Sequence, residues 1–241
     1  MSILTLTTIF SKSWNVFKRN WVIYTAFALI TFLLKYATSL PVGEGGFQFW
    51  FGFLVFLIGL IANYTAISAI IIYTLRILEH RPLSVLGSVQ RLTPKKVVKV
   101  LGAFLVKGLV HMILFGIFVV ALIVLAPTMF VGAGIIGDII KFIILGVLLF
   151  PAVIMVARLA FVIPSILEGH TIRAAFRESW KISKGEVWFV WTNFFMMMLI
   201  MFIGCLCFIV GVLPAMAICM IMNVELYLAL RDKYRATRSI K

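Results

Sequence analysis

The stretch Pro164–Glu186, PSILEGHTIRAAFRESWKISKGE, decides the fold. An apolar run closes at Ser165–Leu167, and the chain turns at Glu168-Gly169. Ile172, Ala175, Phe176, Ser179, Trp180 and Ser183 then recur three and four residues apart, the spacing of one helical stripe. Arg173, Arg177, Glu178, Lys181 and Lys184 fall on the other side. A second apolar run opens at Val187. A basic amphipathic helix with a Trp, set between two such runs, belongs in the headgroup plane of a membrane.

Composition agrees. Of 241 residues, 63% are hydrophobic and 12% charged, with mean hydropathy +1.16. Soluble domains are about 45–50% apolar and about 25% charged, so lipid must be the solvent for much of this surface. The formal net charge is +14. Its basic residues lie between apolar runs, which points to anionic headgroups rather than nucleic acid. Cys205, Cys207 and Cys219 lie inside apolar runs and read as small buried hydrophobes. Cys-x-Cys does not place both sulfurs on one helical face. His80, His111 and His170 lack metal-ligand spacing. No metal or cofactor is expected. Met1–Arg19 lacks the features of a cleaved signal peptide, so the first span is expected to stay in the mature protein.

Working outward, Leu4–Arg19 repeats the amphipathic pattern, with Leu6, Phe10, Trp14, Phe17 and Trp21 three or four apart. Trp21–Ala37 is a short first span, with Lys35 snorkelling at its far end. Thr38–Gly46 is a loop, and Phe47–Leu75 the second span. Pro82–Leu92 is a short second amphipathic helix, and Val97–Leu125 the third span. An uncharged turn at Pro127–Gly134 leads to a fourth span within Ile135–Leu167, which contains Pro151 and Pro164. Val187–Val224 is two span lengths at roughly 20 residues each, and Gly211 and Pro214 suggest the turn between them. Arg231–Lys241 reads as a basic tail. Basic residues cluster before span one and after spans two, four and six. The positive-inside rule therefore predicts six spans with both termini cytoplasmic.

A repeat underlies this order. Phe10-Ser-Lys-Ser13-Trp14 and Phe176-Arg-Glu-Ser179-Trp180 share F-x-x-S-W, with Lys18 and Lys184 at the same distance beyond. Ile77-Leu78-Glu79-His80 and Ile166-Leu167-Glu168-Gly169 share I-L-E at the end of a span. The expected fold is all-α: a single domain, 1–241, of six transmembrane helices and three interfacial amphipathic helices. Its three pseudo-repeats cover approximately 4–75, 82–167 and 170–230. All run in one direction, unlike the inverted repeats of many transporters.

Arg158, Pro164, Glu168-Gly169, Ala175, Ser179-Trp180 and Lys184-Gly185 resemble the R…P…EG…A…SW…KG pattern of the membrane domain found in bacterial glycerophosphodiester phosphodiesterases. The same domain occurs alone in bacterial inner-membrane proteins. The resemblance implies an inner-membrane domain of unassigned activity. No α/β segment follows residue 230, so the family's hydrolase activity is not expected to come with it.

Several residues are candidates for specific roles. Glu168 is expected to cap the amphipathic helix, since a carboxylate favours a helix N-terminus. Ser179 and Trp180 are expected to pack that helix onto the bundle and anchor it. Ser179 lacks the base and acid partners of a nucleophile. Lys107, Arg158 and Glu225 lie roughly 9–15 Å below the cytoplasmic surface at 1.5 Å per residue. Charges at such depth are costly and should pair. The expected pair is Arg158 with Glu225; Lys107 then either snorkels, leaving a purely structural bridge, or makes a net positive pocket for a lipid phosphate or small anion. Arg173, Arg177, Lys181 and Lys184 are expected to bind anionic headgroups.

The function this predicts is non-enzymatic: binding or organising anionic lipid, or scaffolding membrane proteins. The alternative is a transporter or channel for a small anionic or amphipathic solute, with Arg158 and Lys107 as its site. A headgroup enzyme is least supported, because no acid/base or nucleophile constellation is present. Expected partners are anionic lipids and a membrane-protein partner or second copy of the chain. The small-residue stripe Gly59, Ala62, Ala66 and Ala69 permits close helix packing in either case.

Overall fold

The computed structural model describes residues 5–38, 46–81, 84–129, 146, 150–151 and 153–239. Its helices are α1 (Leu6–Arg19), α2 (Trp21–Thr38), α3 (Gly46–Leu78), α4 (Val85–Gln90), α5 (Pro94–Met129), α6 (Val162–Glu168), α7 (Ile172–Ile182), α8 (Val187–Leu206) and α9 (Phe208–Ser239). Among the described residues there is no strand. Among the described residues, four helices are long and apolar enough to cross a membrane: Leu57–Leu78, Pro94–Ile117, Val187–Leu206 and Gly211–Thr237. Trp21–Leu34 of α2 is a shorter apolar helix. Residues 39–45 of the expected Thr38–Gly46 loop and most of the expected fourth span lie outside the described residues, while Thr38 and Gly46 themselves are helical.

The centre of the bundle is α9, which packs against α1, α2, α3, α7 and α8. Ile221, Met222, Leu226 and Tyr227 on α9 are fully buried, as are Tyr24 of α2 and Phe161. By contrast α5 exposes Leu105, Leu109, Met112 and Phe115, and α8 exposes Trp188, Phe195, Met198 and Phe202. Apolar surface of this extent suits acyl chains. Cys205 and Cys207 are also exposed, so the expectation that they are buried is corrected. They end the lipid-facing helix α8 rather than fill the core.

The three amphipathic helices start with the same device. Thr5, Ser84 and Thr171 are extended N-cap residues whose hydroxyls accept from the backbone N–H of Thr8, Gly87 and Ala174. Such a cap satisfies one of the donors a helix start leaves free. Glu168 therefore does not cap α7. Thr171 takes that position, and Glu168 ends the preceding helix α6.

Three boundaries also differ from expectation. First, α5 continues to Met129, past Pro127. Second, α8 and α9 reverse at Cys207 and not at Gly211 and Pro214. Gly211 serves close approach instead: a Cβ there would lie 2.5 Å from Cys207 Cβ and 2.6 Å from the Gly204 carbonyl oxygen. Pro214 falls in the second turn of α9, where it forfeits one backbone bond close to a helix start. Third, the basic tail is helical. Helix α9 runs on to Ser239, and Arg231 is buried.

The apolar run before α7 is broken. Residues 153–158 are helical, 159–161 form a turn, and α6 starts at Val162. Pro164 thus sits in the first turn of α6 rather than inside a continuous span. A first-turn residue needs no N–H partner, so the proline costs little there.

Candidate functional site at the basic end of the bundle

Ser179 holds the helix break. Its hydroxyl donates to the Arg158 carbonyl at 2.5 Å and accepts from the Phe161 N–H at 3.2 Å. Both backbone groups lie where the helix is interrupted, and Ser179 is fully buried. The Arg158 guanidinium donates to the Trp180 carbonyl at 2.8 Å and lies 4.9 Å from the Trp180 ring centroid. Gly169 and Gly185 have φ of +117° and +85°, a left-handed backbone that glycine adopts without a Cβ penalty. The R…P…EG…A…SW…KG residues thus form one structural unit that breaks a helix, reverses the chain and lays α7 against the break. Ala175, fully buried, sets how closely α7 lies.

Ser179→Ala leaves the Phe161 N–H and Arg158 C=O without this partner. It is expected to cost about 1–3 kcal/mol, the usual penalty for an orphaned buried polar group. Thermal unfolding in detergent checks this, and an unchanged midpoint would remove the role.

The expected Arg158–Glu225 pair does not form. Glu225 Oε1 lies 3.0 Å from Lys12 Nζ on α1, while Arg158 is engaged by Trp180. The helix break turns Arg158 toward α7, and α1 lies along α9. Among the described residues Lys107 has no ion pair. Its carbonyl bonds His111 Nδ1 at 2.6 Å. No hydrogen bond or ion pair joins Lys107 to Arg158 or Glu225 among the described residues, so the structure does not assemble these three into one pocket.

A different charged centre occupies the bundle end. Arg231 of α9 is paired with Glu168 and lies 3.3 Å from Glu79 Oε1. Its Nε lies 3.2 Å from Asp232. The Tyr227 hydroxyl donates to Glu168 Oε2 at 3.0 Å. Both glutamates come from the I-L-E ends, one closing α3 and the other α6. Each is followed by a left-handed residue, His80 at φ 55° and Gly169 at φ 117°. The I-L-E match marked these positions in the sequence. It did not reveal their shared arginine, because Arg231 counted as tail.

On the outer side, α7 presents a groove of about 840 Å³ lined by Arg173, Arg177, Lys181, His170, Glu178 and Tyr234, among others. Glu178 is already engaged, accepting from the Ser165 hydroxyl and lying 3.0 Å from His170 Nε2. Arg173, Arg177 and Lys181 form no ion pair among the described residues. Lys184 is exposed outside the groove. Trp180, 44% exposed, stands beside these cations on the same helix.

The fold and its basic end define an integral membrane domain, all-helical among the described residues, with amphipathic helices packed onto a bundle of apolar ones. Residues 128–230 match the family described as the membrane domain of glycerophosphoryl diester phosphodiesterase. The match contains every residue of the motif from Arg158 to Gly185. No curated protein matches the chain, and no solved structure does.

Proposed function

We propose that the protein is a non-catalytic, bacterial-type inner-membrane domain that binds and organises anionic lipid through α7. The observation that carries this reading is the α7 groove. Three cations without carboxylate partners line it, next to an interfacial Trp, on a helix whose other face is buried. Anionic phosphates supply the missing counter-charge, and each basic residue at a membrane surface adds about 1 kcal/mol of attraction. The attraction falls with salt, because exposed charges are screened over roughly 10 Å at 0.1 M.

The reading includes six spans, three interfacial helices and cytoplasmic termini. The shared Ser/Thr caps of α1, α4 and α7 support a threefold plan, as do the paired I-L-E ends. The gathering of basic residues at one end supports the orientation.

The test is lipid analysis of protein extracted with native membrane, comparing wild type with Arg173→Gln/Arg177→Gln/Lys181→Gln. Loss of three surface charges is expected to weaken anionic-lipid association by roughly two orders of magnitude. The bound anionic fraction should fall to that of the surrounding membrane. A folded variant with an unchanged lipid profile would rule the reading out.

A further inference from the structure

A second, smaller cleft lies where the end of α3 meets α5 and α6. It encloses about 100 Å³ and is lined by Ile72, Leu75, Arg76, Glu79, Arg91, Lys96, Leu167 and Glu168. Ile72, Leu75 and Leu167 are buried and form an apolar floor. The rim is charged. Both carboxylates on it are held by Arg231, and Arg76 reaches only Glu79, at 3.7 Å. Arg91 and Lys96 have no ion-pair partner among the described residues. The cleft therefore carries two uncompensated cations beside carboxylates already committed elsewhere.

The start of α5 deepens this imbalance. Helix α5 opens Pro94-Lys95-Lys96 with no acidic residue in its first turn. A helix N-terminus carries a partial positive charge and favours anions, so two lysines there oppose the dipole. Local choices that conflict in this way concentrate at functional sites. A bound anion resolves the conflict, taking the helix dipole and both cations as its partners.

We propose that this cleft binds a single phosphate group, either on a lipid headgroup or as a free anion. A phosphodiester brings about one negative charge. A phosphomonoester at neutral pH brings between about 1.5 and 2, close to the surplus. One water needs roughly 10–15 Å³ of such space, so the cleft admits a tetrahedral anion with waters, but no acyl chain. Arg91 supplies a planar fork that matches phosphate oxygens, and Lys96 a compact point charge. Arg76 completes the cradle from α3. The site is separate from the α7 groove and does not depend on it.

The test uses the full chain in detergent. Thermal midpoints of delipidated wild type and Arg91→Gln/Lys96→Gln are followed against sodium phosphate, with ionic strength held constant by sodium chloride. Phosphorus per chain is measured in parallel on protein extracted with native lipid. If the group is free phosphate, phosphate raises the wild-type midpoint, and the double variant needs roughly thirtyfold more for the same shift. If it belongs to a lipid, the variant loses one lipid phosphate per chain and the response to free phosphate is small. Arg173→Gln/Arg177→Gln/Lys181→Gln should leave the phosphate-dependent midpoint shift at this cleft intact, and any phosphorus it loses belongs to the α7 groove. If the double variant loses helicity, Arg91→Gln alone, at an exposed side chain, carries the comparison. A folded variant that matches wild type in both measurements overturns the proposal.

Discussion

Arg231→Met is expected to destabilise the bundle by about 3 kcal/mol, the lower end of the range for breaking a buried ion pair. Arg231 has only 9% of its side chain exposed, and Glu168 and Glu79 have 16% and 28%. Removing the arginine leaves two carboxylates in a poorly hydrated corner with only longer contacts, Glu79 to Arg76 at 3.7 Å and Glu168 to Arg235 at 4.0 Å. Their residual solvent contact places the cost at the lower end and not in the middle. The ends of α3 and α6 meet at this arginine on α9, so the loss should reach beyond α9. Denaturant titration in micelles should show α3, α6 and α9 loosening together. Combining Arg231→Met with Glu79→Gln and Glu168→Gln removes both carboxylate charges and should recover much of the loss. A single variant within about 1 kcal/mol of wild type, the median value of an exposed pair, would show that this centre does not hold the bundle together.

Gly211→Ala should cost about 2–3 kcal/mol, the upper part of the range for overpacking. The added Cβ would meet Cys207 Cβ at 2.5 Å and the Gly204 carbonyl oxygen at 2.6 Å. Backbone cannot swing aside as the end of a long side chain can. Helices α8 and α9 would have to separate at their turn. Gly204→Ala should behave alike, since its Cβ would meet Ala215 Cβ at 2.6 Å and the Gly211 carbonyl oxygen at 2.8 Å. The two costs should not add, because residues in contact couple. Once the helices have parted for one methyl, the second fits more easily. Gly108 is the control: a Cβ there meets nothing within 4 Å. Gly108→Ala should be neutral, or stabilising by up to about 1 kcal/mol through helix propensity. Equal midpoints for Gly211→Ala and Gly108→Ala would refute the close approach.

Both features were visible in the sequence but misassigned there. Glu79 and Glu168 stood out as the two I-L-E ends, and Gly211 as a small residue near a reversal. Glycine in a long apolar run signals either a turn or a tight helix contact, and only the neighbouring helix distinguishes these. Arg231 opens a basic run, RDKYR, and such runs are commonly solvated. The residue is nevertheless buried, because α9 lies at the centre of the bundle and turns this one position toward Glu79 and Glu168, while Asp232, Lys233 and Arg235 stay exposed.

What the residues determined alone are the properties set over one or two helical turns. The membrane class follows from composition. The amphipathic helices follow from 3.6-residue spacing. Their observed limits, Leu6–Arg19, Val85–Gln90 and Ile172–Ile182, fall within Leu4–Arg19, Pro82–Leu92 and the opening stretch. The Arg158–Gly185 motif and the family match agree for the same reason: the motif encodes a local break and reversal. Partner choice was decided by tertiary structure. Distance along the chain gives the depth of Lys107, Arg158 and Glu225 but not the direction each helix turns them. Arg158 faces α7 because the chain breaks beside it, and Glu225 faces Lys12 because α1 lies against α9. Rotation about a helix axis is set by packing against neighbours, and no count of residues contains it.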